Sequence, residues 1–317
     1  LGGGSGTQTL RWTGGSLFGA VTINAGAEFR FGITGFNSLH GGGLMDNHGT
    51  IIREAGADQP WTLSSASIVN EAGGLIDLQG DGDFSFHSGG PGFNNLGTLR
   101  KSGGTGFTRF NEGVAVTNRG SIQVQTGTLQ FADGLTSGSG IDVTTGATVD
   151  VHSGTFNLEP GHSFNGPGNY GIFNGGGPVI NGPLINTNFV VDGGVLTITN
   201  ELRGVLHWRG GSLLGEMTIT PSGILNYGIT GFNSFQSAGV ITNHGLIRWQ
   251  TNASQPWTFQ GSRIENAADG LIDLQRDSSF SRHSGFPSIN NLGTLRRNGS
   301  TGFTRFNEGV AVTNRGS

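Results

Sequence analysis

Between Val114 and Val124 the chain alternates: Val114, Val116, Asn118, Gly120, Ile122 and Val124 are separated by Ala115, Thr117, Arg119, Ser121 and Gln123. A period of two is that of a β-strand with one buried face. Short runs of this kind recur, several of them entered through an Asn, a short step to Gly and then an aliphatic residue. Asn47, Asn70, Asn95 and Asn118 open four such runs at spacings of 23, 25 and 23, and Asn24 extends the row backwards by 23. A second row has a similar step: Trp61, Phe84, Phe107 and Phe131 are 23, 23 and 24 residues apart.

Two rows with one period mark a coil whose turns stack at about 4.8 Å, with like residues above one another. Stacked rings in such a column add about 0.5–1.5 kcal/mol per pair. An Asn tolerates a sharp bend, and its amide can donate to the Asn of the next turn, worth about 1 kcal/mol net. A turn of this length fits three short strands joined by bends, and the hexapeptide pattern of the tight left-handed coil is absent. The handedness of parallel crossovers favours the right-handed form. The pattern therefore predicts an all-β chain, a right-handed parallel β-helix (β-solenoid) of about 23 residues per turn with no helices. The alternative, a pair of antiparallel β-sandwiches, gives no reason for two rows in common register.

A longer repeat lies over the short one. Thr105–Ser121 recurs letter for letter as Thr301–Ser317, and the offset of 196 holds back to Trp12 and Trp208. The predicted organisation is one continuous solenoid over 1–317, with a first long repeat at 1–196 and a partial second copy at 197–317. The second copy carries Asn243, Asn266, Asn291 and Asn314, with Thr220 in the place of Asn24, and the rings Trp257, Phe280 and Phe303. From Ala132 to Leu206 the pattern loosens. There Ile141–Val143, Thr148–Val151, Phe189–Val191 and Val195–Thr199 read as strands. The Gly/Pro-rich stretch Gly166–Pro178 reads as wide bends or, alternatively, as a linker.

Composition narrows the function. Gly is the commonest residue at 61, charged residues are 12% and the net charge is −4, which gives no electrostatic case for nucleic acid or an anionic membrane. No cysteine is present, so disulfides and thiolate metal sites are excluded. No apolar stretch is long enough to span a bilayer. The chain opens on Leu1 and stops where the first copy runs on into Ile122, and we expect a segment of a longer protein.

Candidate chemistry is sparse, and no cofactor is expected. Asp77, Asp81 and Asp83 could offer oxygen ligands to Ca²⁺ or a carboxylate pair for acid–base work on a sugar. The second copy keeps Asp273 and Asp277 but replaces Asp83 by Ser279 and Gly80 by Arg276, which favours a solvated bend. Arg109, Glu112 and Arg119 recur as Arg305, Glu308 and Arg315, which suits ion pairs or a periodic surface better than a single catalytic pocket. The eight histidines form no metal-binding pair, and Thr-x-Thr at Thr7, Thr197 and Thr218 does not recur every turn. Trp12 and Trp208 read as core plugs. Trp249, standing where the first copy has Arg53, reads as the better exposed ring for a glycan.

The motif Trp-Thr-Gly-Gly-Ser-Leu at Trp12, the Asn-x-Gly-Thr steps and Gly-Gly-Thr-Gly-Phe-Thr-Arg-Phe resemble the repetitive β-solenoid regions of large bacterial surface proteins, filamentous-haemagglutinin-like adhesins and autotransporter passengers among them. That resemblance implies a non-enzymatic structural protein, an extracellular or cell-surface rod, stalk or fibre. It would meet further copies of itself head to tail, with surface glycans as a second class of partner, without membrane insertion. A carbohydrate-active lyase or glycosidase and a glycan-binding adhesin are the competing expectations.

Overall fold

The computed structural model describes residues 7–317 apart from 33, 58, 174, 186–187, 229–230, 232, 237 and 300. Among the described residues every regular element is a strand, and the strand pairings are parallel. The chain is an all-β parallel β-solenoid. It divides into two compact units, Leu1–Tyr170 and Gly171–Ser317, and the boundary falls inside the Gly166–Pro178 stretch.

In the first unit each turn contributes three short strands, and each strand pairs with the one three places on, so the coil has three walls. The first wall begins Thr9–Trp12, Glu28–Phe31, Thr50–Arg53, Leu75–Leu78 and Thr98–Lys101 and continues through Ser121–Val124 to Ser163–Asn165. The second contains Trp61–Ser64, Phe84–Ser88, Phe107–Phe110, Thr128–Phe131 and Thr148–Val151. The third contains Val21–Ile23, Leu44–Asn47, Ser67–Asn70, Gly92–Asn95, Ala115–Asn118 and Leu135–Ser137. The Val114–Val124 alternation is therefore two strands of two walls, with a corner at Arg119 and Gly120.

Registry stacks like on like. Phe29, Ile51, Ile76, Leu99, Ile122 and Ile141 form one column inside the first wall, all fully buried or nearly so. Burial of a whole aliphatic side chain contributes about 1.5–3 kcal/mol. The turn shortens beyond Asn118: Ser137 follows it by 19 residues, and Asp150 follows Gln130 by 20. That is why the period fades there in the sequence. Near its start, after Val179–Asn181, the second unit has two ten-residue strands, Phe189–Ile198 and Val205–Leu214, paired through register shifts, and it then resumes three strands per turn.

The Asn row lies inside the third wall. Asn47 Nδ2 donates to Asn70 Oδ1 at 2.7 Å, Asn70 to Asn95 at 2.7 Å, and Asn95 to Asn118 at 2.8 Å. The second amide hydrogen goes to a backbone carbonyl at the start of the first wall, that of Leu75, Thr98 or Ser121. Asn243, Asn266, Asn291 and Asn314 are joined in the same way at 2.6–2.7 Å. Asn47, Asn70 and Asn95 in the first unit and Asn243, Asn266 and Asn291 in the second thus have both amide hydrogens committed, the condition under which a buried polar network stabilises. Asn24 is a correction. Its neighbour Ile23 is in register with Asn47, and Asn24 is exposed beyond the strand end; in the second copy Ile219 pairs with Asn243 in the same way.

The aromatic row needs a similar correction. Trp61 pairs with Phe84, but Phe84 pairs with Phe110, and Phe110 with Phe131. The rings of Phe84 and Phe110 stack at 4.6 Å and 5°, those of Phe110 and Phe131 at 5.5 Å and 3°. Phe107 is three residues from Phe110 on one strand, so the two side chains face opposite sides, and Phe107 is exposed. In the second unit Phe306, and not Phe303, stacks on Phe280 at 4.9 Å, while Phe303 is 75% exposed.

Candidate functional site

The carboxylates singled out above do not converge. Asp77, nearly fully buried on the outer side of the first wall, accepts from Arg100 Nε and Nη2 at 3.0 Å each, from Ser102 at 2.6 Å and from Gln79 at 3.0 Å. Burial alone would raise its pKa, but the hydrogen bonds from Arg100, Ser102 and Gln79 outweigh it and hold the carboxyl below the usual range. Asp81 accepts from Lys101 Nζ at 2.8 Å and from the Gly106 amide at 2.9 Å. Asp83 accepts from the Arg109 amide and from Asn111. Each carboxylate thus serves a different group of the next turn. Among the described residues no three His, Asp or Glu side chains are placed to hold a metal. The second unit repeats the first two arrangements, with Arg296 on Asp273 at 2.9 Å and Arg297 on Asp277 at 2.6 Å.

Two cations are part of the core. Lys101, the one lysine of the chain, is fully buried, and its three protons go to Asp81, the Gly103 carbonyl and Thr108 Oγ1. Arg53 is also fully buried, lies 5.2 Å over the Phe31 ring and donates Nη2 to the carbonyls of Ala57 and Gln59. It passes beneath Gly82, whose φ is +127° and where any Cβ would overlap the guanidinium. Trp249, at the same place in the second copy, is 1% exposed, which removes it as an exposed platform. The reason is strand parity: both side chains continue the inward column of Trp12, Phe31 and Leu78 or of Trp208, Tyr227 and Leu274. Trp12 and Trp208 are buried in those columns, and each indole N–H is satisfied by a nearby carbonyl, of Gly14 or Gly211.

A groove of about 440 Å³ opens in the first unit where the second wall meets its corner loops, lined by Ser85, Phe86, Arg109, Asn111, Glu112 and His152, with Ala132 beside them. Arg109 Nε donates to Gln130 Oε1, and Gln130 Nε2 donates to Asp150 Oδ2 at 2.6 Å. Gln130 and Asp150 are both buried, so the arginine is held from below. Asn111 is held by Ser85 Oγ at 3.0 Å. The Phe86 ring packs on Gly113, φ +87°, where a Cβ would strike it, and the Gly113 amide is fixed by Asp133 at 3.1 Å. Arg119 lies elsewhere, 3.4 Å from Glu159.

Sequence reasoning reached Arg109 and Glu112 through the verbatim repeat but gave no sign of Phe86, Asn111, Gln130, Asp150 or His152, which come from four different turns. In the second unit a groove of about 580 Å³ contains Asp277, Ser279, Phe303, Arg305 and Asn307.

No protein-family model and no curated protein matches the chain. One solved structure, the crystal structure of a TibC-catalyzed hyper-glycosylated TibA fragment, aligns over 96% of this chain and 98% of its own at 17% identity. Its TM-score is 0.29, and nothing about role follows from it. Among the described residues no helix is long and apolar enough to cross a membrane, which says nothing of a β-barrel.

Proposed function

We propose that this chain is a structural repeat segment of a bacterial surface or secreted protein, a stiff stalk or fibre that spaces or displays other material and catalyses nothing itself. The observation that carries the reading is the buried Asn column, present in both units with its amide hydrogens committed turn by turn. A column of this kind fixes register, and register is what a repeat needs in order to extend without slipping. The backbone bonds between successive strands run along the coil, so each turn is tied to the next through its walls. The separate commitments of Asp77 and Asp81 to ion pairs and of Asp83 to a backbone amide and Asn111 favour this reading over a lyase or glycosidase, whose two carboxylates would face one groove. Further copies of the repeat are the natural neighbours, since a terminal turn presents unpaired strand edges.

The test is antibody labelling of intact producing cells, without permeabilisation, against residues 7–317. Labelling of unbroken cells or of the culture medium is expected. Label appearing only after lysis would reject the exterior location.

A further inference from the structure

We propose that the groove of the first unit binds an uncharged saccharide, taking one sugar ring between Phe86, Arg109 and Glu112. A pyranose has an apolar C–H face and a rim of hydroxyls that both donate and accept. The groove offers a partner for each. The Phe86 ring is 43% exposed and immobilised on Gly113, a surface suited to the apolar face. Arg109 spends Nε on Gln130, and among the described residues its two terminal nitrogens make no hydrogen bond, so its fork is left to donate to a hydroxyl pair. Glu112 is exposed and has no ion pair or hydrogen bond among the described residues, so its carboxylate is free to accept. Asn111, with its amide nitrogen on Ser85 and Asp83, keeps Oδ1 as a second acceptor.

The arrangement is built before any ligand arrives. The buried Gln130–Asp150 relay sets the plane of the guanidinium, and the Asp133 bond to the Gly113 amide sets the loop that carries Glu112. Preorganisation of this kind is what lets a shallow polar groove retain a small ligand. Its volume lies within the range of small-molecule sites.

Charge selects against acidic sugars. One guanidinium is accompanied by the carboxylates of Glu112 and Asp150, so a further negative charge on the ligand would be repelled, whereas hydroxyls are not.

The second unit shows what the fold accepts in the place of Phe86. Arg305, Asn307 and Glu308 repeat their counterparts, but Arg282 stands in the place of Phe86, beside Gly309 and 5.6 Å over the Phe286 ring. The fold therefore already accepts Arg at this place, and Phe86→Arg removes the platform while keeping the corner.

The experiment is a glycan array followed by titration calorimetry of the purified chain, with neutral gluco-, galacto- and N-acetylglucosamine oligosaccharides and uronic-acid oligosaccharides as probes. At least one neutral probe is expected to bind. Phe86→Arg is expected to weaken it about tenfold or more and the exposed Glu112→Gln about fivefold, at unchanged melting temperature. Absence of neutral binding at about 1 mM, binding of uronic-acid probes alone, or neutral binding untouched by both variants would each overturn the assignment. Should Phe86→Arg fail to fold, Glu112→Gln alone decides, because an exposed carboxylate with no partner has no structural work to lose.

Discussion

The two long repeats share a backbone plan and differ at its centre. In the first copy the inward column runs Phe31, Arg53, Leu78; in the second it runs Tyr227, Trp249, Leu274. A loop carbonyl buried beside this column must be satisfied in both. In the first copy Arg53 Nη2 reaches Gln59 O at 2.5 Å; in the second the Tyr227 hydroxyl reaches Gln255 O at 3.2 Å and Pro256 O at 2.7 Å. The donor has moved by one turn, from the second residue of the pair to the first. The second copy also gains a ring, Trp249, where the first has the guanidinium. Gly82, which leaves room for the guanidinium, becomes Ser278 where no guanidinium passes. Asn37 and Asn233 keep the same bond to Pro60 O and Pro256 O in both copies. A buried cation and a buried indole can thus occupy one site of this coil, provided three neighbouring positions change together.

The most damaging way to break the equivalence is to exchange one member alone. Trp249→Arg would place a charge among Tyr227, Trp257 and Leu274 with Ser278 in its path, and is expected to destabilise the second unit by about 3–5 kcal/mol in urea unfolding. Arg53→Trp alone should cost the first unit about 2–4 kcal/mol, and adding Phe31→Tyr, whose hydroxyl can serve the loop carbonyl that Arg53 leaves, should recover part of it; Gly82 is kept, because its φ of +127° strains any side chain. Equal stability of the single and double variants would show that the two positions are not coupled.

The ring columns give the next comparison. Phe110→Ala removes a ring stacked on both sides and should cost about 3–5 kcal/mol, whereas Phe107→Ala on the same strand should fall within about 0.5 kcal/mol. Smaller again is the Asn row, where Asn70→Ala or Asn266→Ala should each cost about 1–3 kcal/mol and the exposed Asn24→Ala almost nothing.

The two units also separate by pH. Burial pushes the His162 ring of the first unit down to about 4 from its ordinary 6.5, with the Ser139 backbone opposing only in part. The folded state holds this ring neutral, so its contribution is complete above about pH 6.5 and is lost as the pH falls toward about 4. Melting of the first unit should therefore decline over that window, and His162→Asn should flatten the decline. His207 in the second unit is lowered in the same direction by burial and by Arg209 but is more open to solvent, so its share should be smaller.

What could be read from the sequence was what repeats. The Asn row was legible because an amide serving two neighbours cannot be exchanged without loss, so its spacing persists while other residues drift. The ring row was legible only in outline. Phe107 fits the step of 23, whereas Phe110 is 26 residues from Phe84 and 21 from Phe131, and only the register with Phe84 and Thr128 shows that Phe110 continues the column. Parity would have exposed the conflict had the strand start been known. Trp249 was misjudged because its counterpart is arginine, normally a sign of solvent; a core that satisfies a guanidinium from loop carbonyls leaves no such sign. The groove was hidden for a different reason. Its residues lie 20 or more positions apart on successive turns, and the places equivalent to Gln130 and Asp150 fall beyond Ser317, so the long repeat could not draw attention to them.

The central claim, that the chain is a structural coil built to extend from or beyond the cell, is most directly tested by electron microscopy of the native material with gold-labelled antibody. The account predicts labelled straight stalks or filaments outside the cell, with an axial diffraction spacing of about 4.7–4.8 Å when they are aligned. Labelled compact particles without that spacing, or label confined to the cell interior, would contradict it.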